Sequence, residues 1–280
     1  FDEAILSYRS SIKIFRTFLG DNHEDVLKSL TDIGKAYFGK RWLDKALQIF
    51  DLVLQRQKMY HPSNRINISK TYDNIAEIHL TRGSYSNSAS NYEISLQIKE
   101  LKQGYEDLNY LEIKRNLGWV RFKQMRYADA LKILNDVLLI LKSKFLHNKL
   151  ELIITLEMLA SVFFQKQTYS EAKDCYENVL NMKIALLGQN HQEVVSTLHN
   201  IALVNGKTGN IDIALDMMVE VLKKYINILG DTHPKVGKVH SDLAHLYFVQ
   251  CEFDRAKKHC NKTLKIFVDA NFPENHTYMK

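Results

Sequence analysis

The chain has 280 residues, a 45% hydrophobic fraction and only three prolines, a composition that excludes a disordered chain. Its net charge of +6 is spread along the sequence with no dense Lys/Arg run and no nucleic-acid-binding motif. It reads as a solvated helical surface, or as a weak attraction to acidic peptides. The three cysteines, Cys175, Cys251 and Cys260, form no C-x-x-C pair, which points to reduced thiols in an intracellular protein. No apolar run approaches the ~18 residues of a membrane span.

A fixed period organises the sequence. LGQNHQEVVSTLHNIA begins at Leu187, LGDTHPKVGKVHSDLA 42 residues later at Leu229, and LGDNHEDVLKSLTDIG four periods earlier at Leu19. One column reads Ala4, Ala46, Ser88, Ala130, Ala172, Ala214 and Ala256. Another reads Tyr8, Phe50, Tyr92, Leu134, Tyr176, Met218 and Cys260. A third, of aliphatic residues, reads Ile12, Leu54, Leu96, Leu138, Leu180, Leu222 and Leu264. Ile33, Ile75, Leu117, Leu159, Ile201 and Leu243 are each followed by Gly or Ala. Leu30, Ile33, Gly34 and Tyr37 fall on one face of a helix, as do Leu43, Ala46, Phe50 and Leu54. Each repeat is therefore a pair of helices in which a small residue lets its partner approach. One pair cannot bury its apolar face alone, so the pairs stack.

In chain order, residues 1–17 are predicted to form a second-type helix without its partner, and six hairpins follow. First helices are expected near 24–40, 66–82, 108–124, 150–166, 192–208 and 234–250. Second helices are expected near 43–58, 85–100, 127–142, 169–184, 211–226 and 253–268. The start at Phe1 within a repeat, and the end as another first helix begins, imply a piece of a longer protein; residues 1–280 are read as one repeat domain. Gly83 and Gly209 suit the turn inside a hairpin. Arg41, Met125, Gln167 and Cys251 stand at the same position elsewhere, so positive φ is not expected there every time. Between hairpins, Leu19–His23, Leu187–His191 and Leu229–His233 read L-G-x-x-H, Lys102–Leu108 keeps only the Gly, and His276 stands one residue late. The loop histidines are expected to tie each loop to a helix start. Cys260 is expected in the core because it sits in the large apolar column.

These columns resemble the tetratricopeptide repeat, and the period with Leu229-Gly230-Asp231-Thr232-His233-Pro234-Lys235-Val236 is similar to the kinesin-light-chain class. The resemblance implies an all-α, right-handed superhelical solenoid of six full hairpins and a leading half-repeat. First helices would line a concave groove that binds extended peptides, often acidic ones. It also implies that Asn before the Leu-Ala step holds the peptide backbone. That role transfers to Asn74, Asn116 and Asn200; the other repeats have Asp32, Met158 and Asp242. The alternative for each Asn is a solvated helix residue.

Lys70, Arg115, His199 and His245 fall in neighbouring groove columns, with Trp119 beside Arg115 and Asn116 as an anchor candidate or as packing between adjacent first helices. Asp32, Asp73, Glu77, Glu112, Glu157 and Asp242 depart from a uniformly basic groove, which leaves a mixed ligand, or an internal segment, as an alternative to an acidic peptide.

No phosphate loop, H-E-x-x-H, G-x-S-x-G or paired-Cys motif occurs, so no catalytic residue, cofactor or metal site is assigned. The expected function is a non-enzymatic adaptor that holds a protein or peptide segment, within a larger multi-protein complex. No nucleic acid and no membrane insertion are expected, and the location is cytoplasmic, with the cytoskeleton or a cilium as sites. The alternatives are a regulatory array on a larger enzyme or nucleotide switch, and a structural part of a fixed assembly.

Overall fold

A computed structural model describes residues 1–103 and 107–270. Gly104, in the loosest inter-hairpin loop, and His276, with the beginning of a seventh hairpin, lie outside the described residues. The described chain is all-α. Its helices are α1 (Asp2–Leu19), α2 (Glu24–Gly39), α3 (Leu43–Tyr60), α4 (Arg65–Thr81), α5 (Tyr85–Gln103), α6 (Leu108–Lys123) and α7 (Tyr127–Lys144). They continue as α8 (Lys149–Gln165), α9 (Tyr169–Leu187), α10 (Gln192–Lys207), α11 (Ile211–Leu229), α12 (Pro234–Val249) and α13 (Phe253–Asp269). They form two compact units that divide after Phe145. Helix hairpins stack within each unit.

The packing follows from the columns. Ala46, Ala130, Ala172 and Ala214 are fully buried, as are Phe50, Leu134 and Met218. A Cβ added at Gly34 would lie 2.8 Å from Phe50 Cζ, and one at Gly118 3.0 Å from Leu134 Cδ2. The small residue of each first helix thus seats the large residue 16 positions later on its partner, as interior packing density requires. The serine of the small column is also buried, and its hydroxyl donates to Ala76 O at 2.8 Å.

Three expectations need correction. All six hairpin turns use positive φ: Gly83 and Gly209, and also Arg41, Met125, Gln167 and Cys251 at 60–66°. Each turn residue follows the C-cap of a first helix, where the chain must reverse within three residues, and the reversal sets φ whatever the side chain. The column from Ile12 to Leu264 is mostly only half-buried, and Leu264 is exposed. The fully packed position is one residue earlier, at Val53, Ser95, Val137, Val179, Val221 and Thr263. Cys260 is exposed and smaller than the Phe, Tyr, Leu or Met that fill this column in other repeats.

The L-G-x-x-H loops have a physical cause. Gly20, Gly188 and Gly230 sit at φ 83–85° and ψ 159–163°, a region open essentially to glycine alone. Three residues on, His23, His191 and His233 accept a backbone N–H at the next helix start with Nδ1, at 3.1–3.3 Å.

The last hairpin holds a histidine pair. His240 Nδ1 and His259 Nδ1 stand 2.9 Å apart, so one donates and the other accepts. Burial first, then His259 and Lys262, hold His240 down to about 4. Burial, Lys262 and Lys258 also depress His259. Each histidine binds its proton more readily in the unfolded chain. Stability is therefore fully present above the ordinary histidine value of 6.5 and is lost as pH falls towards 4.

Two outcomes are expected. Met125→Gly and Gln167→Gly raise stability by roughly 0.5–1 kcal/mol each in urea unfolding, by removing left-handed strain from a non-glycine residue; a loss of stability would show that the turn is unstrained. The unfolding temperature of the unit from Leu146 onward falls between pH 6.5 and 5, and His240→Gln flattens that dependence. An equally steep fall in the variant would place the titration elsewhere.

Candidate peptide groove

In the first unit, a depression of about 410 Å³ opens between α2 and α4. Lys28, Thr31, Asp32 and Lys35 border it from α2, and Lys70, Thr71 and Asn74 from α4. It thus brings together two expected groove residues, Lys70 and Asn74. Lys70 is exposed and Asn74 half-buried. The neighbouring loop is tied down: Arg56 donates to Asp21 O at 2.8 Å, and His61 Nε2 lies 2.6 Å from Asn22 O.

Gln57, on second helix α3, also lines this depression. Its side chain is buried, and Oε1 accepts from the Thr71 hydroxyl at 2.8 Å. Its column continues as Lys99, Leu141, Lys183, Tyr225 and Phe267, all buried. In α3, α5 and α9 this side chain reaches between two first helices and sets the chemistry there. Lys99 Nζ donates to Asp73 Oδ2 at 2.7 Å on α4 and to Asn109 Oδ1 at 2.6 Å on α6. Lys183, two periods on, donates to Glu157 at 2.6 Å on α8 and Glu193 at 3.1 Å on α10. Each ammonium is satisfied by its own hairpin and the next, which a buried cation requires. Tyr225 in turn lies under Lys235, 5.8 Å from the ring centroid. Phe267 fills the space a side chain would take at Gly237.

Sequence reasoning missed this column, because Gln, Lys, Leu, Tyr and Phe share no polarity. The available signal was a lysine recurring after two periods with an acidic residue 26 positions before it.

The other expected residues divide. Asn116 is half-buried on α6 and faces the buried Tyr92 phenol. Burial first, then the Glu77, Asp73 and Glu112 carboxylates, push that phenol far above its ordinary range. Trp119 is half-buried, packs on Phe122 with ring centroids 4.7 Å apart, and has Lys123 over its ring at 4.7 Å. Arg115 is buried. In the second unit Asn200 is half-buried on α10, whereas His199 is buried with Nε2 2.7 Å from Asp242 Oδ2 of α12. His199 thus joins two first helices through Nε2. His245 is exposed beside Phe248 and Phe253 in a separate depression of about 400 Å³.

Residues 151–227 match the tetratricopeptide repeat family. The repeat is a tetratricopeptide repeat. Its fold is similar to that of solved kinesin-light-chain-like repeat proteins. Among solved structures, BtubC (BKLC) from P. vanneervenii has 18% identity and a TM-score of 0.67, covering 85% of this chain and 94% of that one. A putative kinesin light chain with nearly identical TPR-like repeats, from Podosopora anserina, has 16% identity and a TM-score of 0.64, covering 75% and 99%. A Rap protein complexed with competence and sporulation factor has 11% identity and a TM-score of 0.59, covering 95% and 86%. None of the curated proteins compared matches the chain in sequence. The tetratricopeptide array has no described helix long and apolar enough to cross a membrane. Nor do its described residues contain a group of three or more His, Cys, Asp or Glu placed to hold a metal ion.

Removing the Lys99 ammonium leaves Asp73 buried without its cation. Lys99→Met is expected to cost about 3 kcal/mol in urea unfolding, and Lys99→Met with Asp73→Leu to recover most of it. A single variant as stable as the parent would show that the buried pair does not brace the α4–α6 joint.

Proposed function

We propose that the chain is a non-enzymatic interaction scaffold which holds an extended segment of a partner protein along its first helices, and that residues 1–280 form one array. The observation that carries this reading is the depression between α2 and α4, bordered by Lys70 and Asn74. A side-chain amide both donates to and accepts from a peptide backbone, which suits sequence-tolerant holding. Asn116 and Asn200 occupy the same place in the repeat, half-buried and half-accessible. The unbroken 42-residue register across Phe145 and Leu146 supports a single array. That a Rap protein of this fold was solved with competence and sporulation factor supports a scaffold of this shape taking up a ligand.

The test compares the parent with a variant carrying Asn74→Ala, Asn116→Ala and Asn200→Ala, its helicity checked by circular dichroism. Peptides selected on the parent are expected to bind the variant at least about tenfold more weakly, since each lost peptide hydrogen bond contributes ~0.5–1.5 kcal/mol. Unchanged affinity would move the binding surface off the first-helix face.

A further inference from the structure

Charge on the first-helix face of the first unit is sorted by position. One row across successive first helices reads Lys28, Lys70, Glu112, and a second reads Lys35, Glu77, Trp119. The three lysines and both glutamates of these rows are exposed.

Internal partners decide which charges a ligand meets. Around the α2–α4 depression, two of the three acidic residues, Glu24 and Asp32, are engaged within the protein. Glu24 accepts from Asn64 at 2.9 Å and lies 3.7 Å from His61 Nδ1. Asp32 is 3.9 Å from Lys35, whereas Asp25 keeps its charge, since the His23 Nδ1 beside it accepts the Asp25 backbone N–H. Lys28 forms no ion pair with a carboxylate among the described residues, and Lys70 is exposed with only the field of Asp73, one turn on, acting on it. Over the α4–α6 joint the balance reverses. Of the buried cations there, Lys99 is committed to Asp73 and Asn109, and Arg115 is buried on α6. Glu77 and Glu112 have no cationic partner among the described residues. Desolvation first, then the Glu112 and Asp73 carboxylates, raise Glu77 above the usual carboxylate range, as expected for like charges gathered without a counter-ion. The face therefore runs from exposed ammonium groups on α2 and the start of α4 to exposed carboxylates on the end of α4 and on α6.

We infer that this face recognises a dipolar extended peptide, with acidic side chains over Lys28 and Lys70 and basic side chains over Glu77 and Glu112. Packed helices lie ~8–10 Å apart, so the two steps from α2 to α6 span roughly 20 Å. An extended chain covers that distance in about six residues. The outermost charges of the ligand, over Lys28 and Glu112, are thus about six positions apart. Asn74, between Lys70 and Glu77 on α4, and Asn116, one turn beyond Glu112 on α6, hold its backbone. A uniformly acidic ligand meets Glu77 and Glu112, and a uniformly basic one meets Lys28 and Lys70. Each mismatch places like charges together, which discriminates more than it attracts. The inference rests on the groove reading above and adds the charge pattern of the ligand.

The test uses fluorescence anisotropy at low salt on the full chain, with four labelled peptides of a common polar host sequence. Two carry Glu-Glu and Arg-Arg with their outermost charges about six residues apart, in the two chain directions. One carries Glu at all four charged positions and one carries Arg. One dipolar peptide is expected to bind at least about tenfold tighter than either uniform peptide, consistent with several exposed charge pairs acting together. Lys28→Glu with Lys70→Glu is expected to shift the preference to the basic peptide, and Glu77→Lys with Glu112→Lys to the acidic one. All four substitutions are on exposed residues, so folding is retained, and circular dichroism checks it. Equal binding of dipolar and uniform peptides, no binding of any of them, or preferences untouched by the charge reversals, overturns the charge pattern. Asn74→Ala with Asn116→Ala separates the two failures. If that variant loses a peptide whose charges do not matter, the groove stands and only the dipolar ligand falls. If neither asparagine nor charge variants alter binding, the groove reading falls as well.

Discussion

The contact between the small residue of a first helix and the large residue of its partner is the constraint on which the rest depends. Phe50 against Gly34 and Leu134 against Gly118 leave no room for even a methyl group, so the two axes are held close. That distance fixes which residues face inward. It places Ala46 and Ala130 in full burial and leaves the opposite side of each first helix free to form a row with its neighbours. The groove columns are thus a consequence of the packing columns, one turn away on the same helices.

Stacking then makes a second demand, because the space between adjacent first helices must be filled from below. Second helices α3, α5 and α9 each supply one side chain for this, with different chemistries. Gln57 fills it by a hydrogen bond to Thr71, and Lys99 and Lys183 by charge. A buried lysine is tolerated because carboxylate and amide oxygens from two hairpins surround it; the same arrangement consumes a positive charge that would otherwise reach the groove. The floor of the groove therefore sets the electrostatics of its rim. The joint with a neutral glutamine presents exposed lysines, and the joint with a committed lysine presents exposed glutamates.

The helices and their pairing were legible in the sequence because the period is strict and its apolar columns keep their size class. The second helices run only a little past their expected ends, with α5 reaching Gln103 and α9 Leu187. The left-handed turn was hidden because Arg41, Met125, Gln167 and Cys251 are not residues that announce positive φ; the geometry of a short reversal imposes it. The candidate site was legible in part. Lys70 and Asn74 do meet at one depression. Arg115 and His199 share a helix face with groove residues, but their column turns inward towards the joint, where His199 finds Asp242. Pairings such as Lys99 with Asp73 link residues 26 positions apart, and periodicity alone does not say that a lysine in a second helix will cross to the other side of the hairpin.

The most direct measurement is site-specific photo-crosslinking to a peptide selected on the parent chain. A photoreactive residue is placed in turn at Lys70, on the first-helix face, and at Leu139, which is exposed on second helix α7. The account expects a crosslink from position 70, competed away by unlabelled peptide, and none from position 139. A crosslink from 139 with silence at 70 would contradict it, and would assign binding to the second-helix side of the repeat.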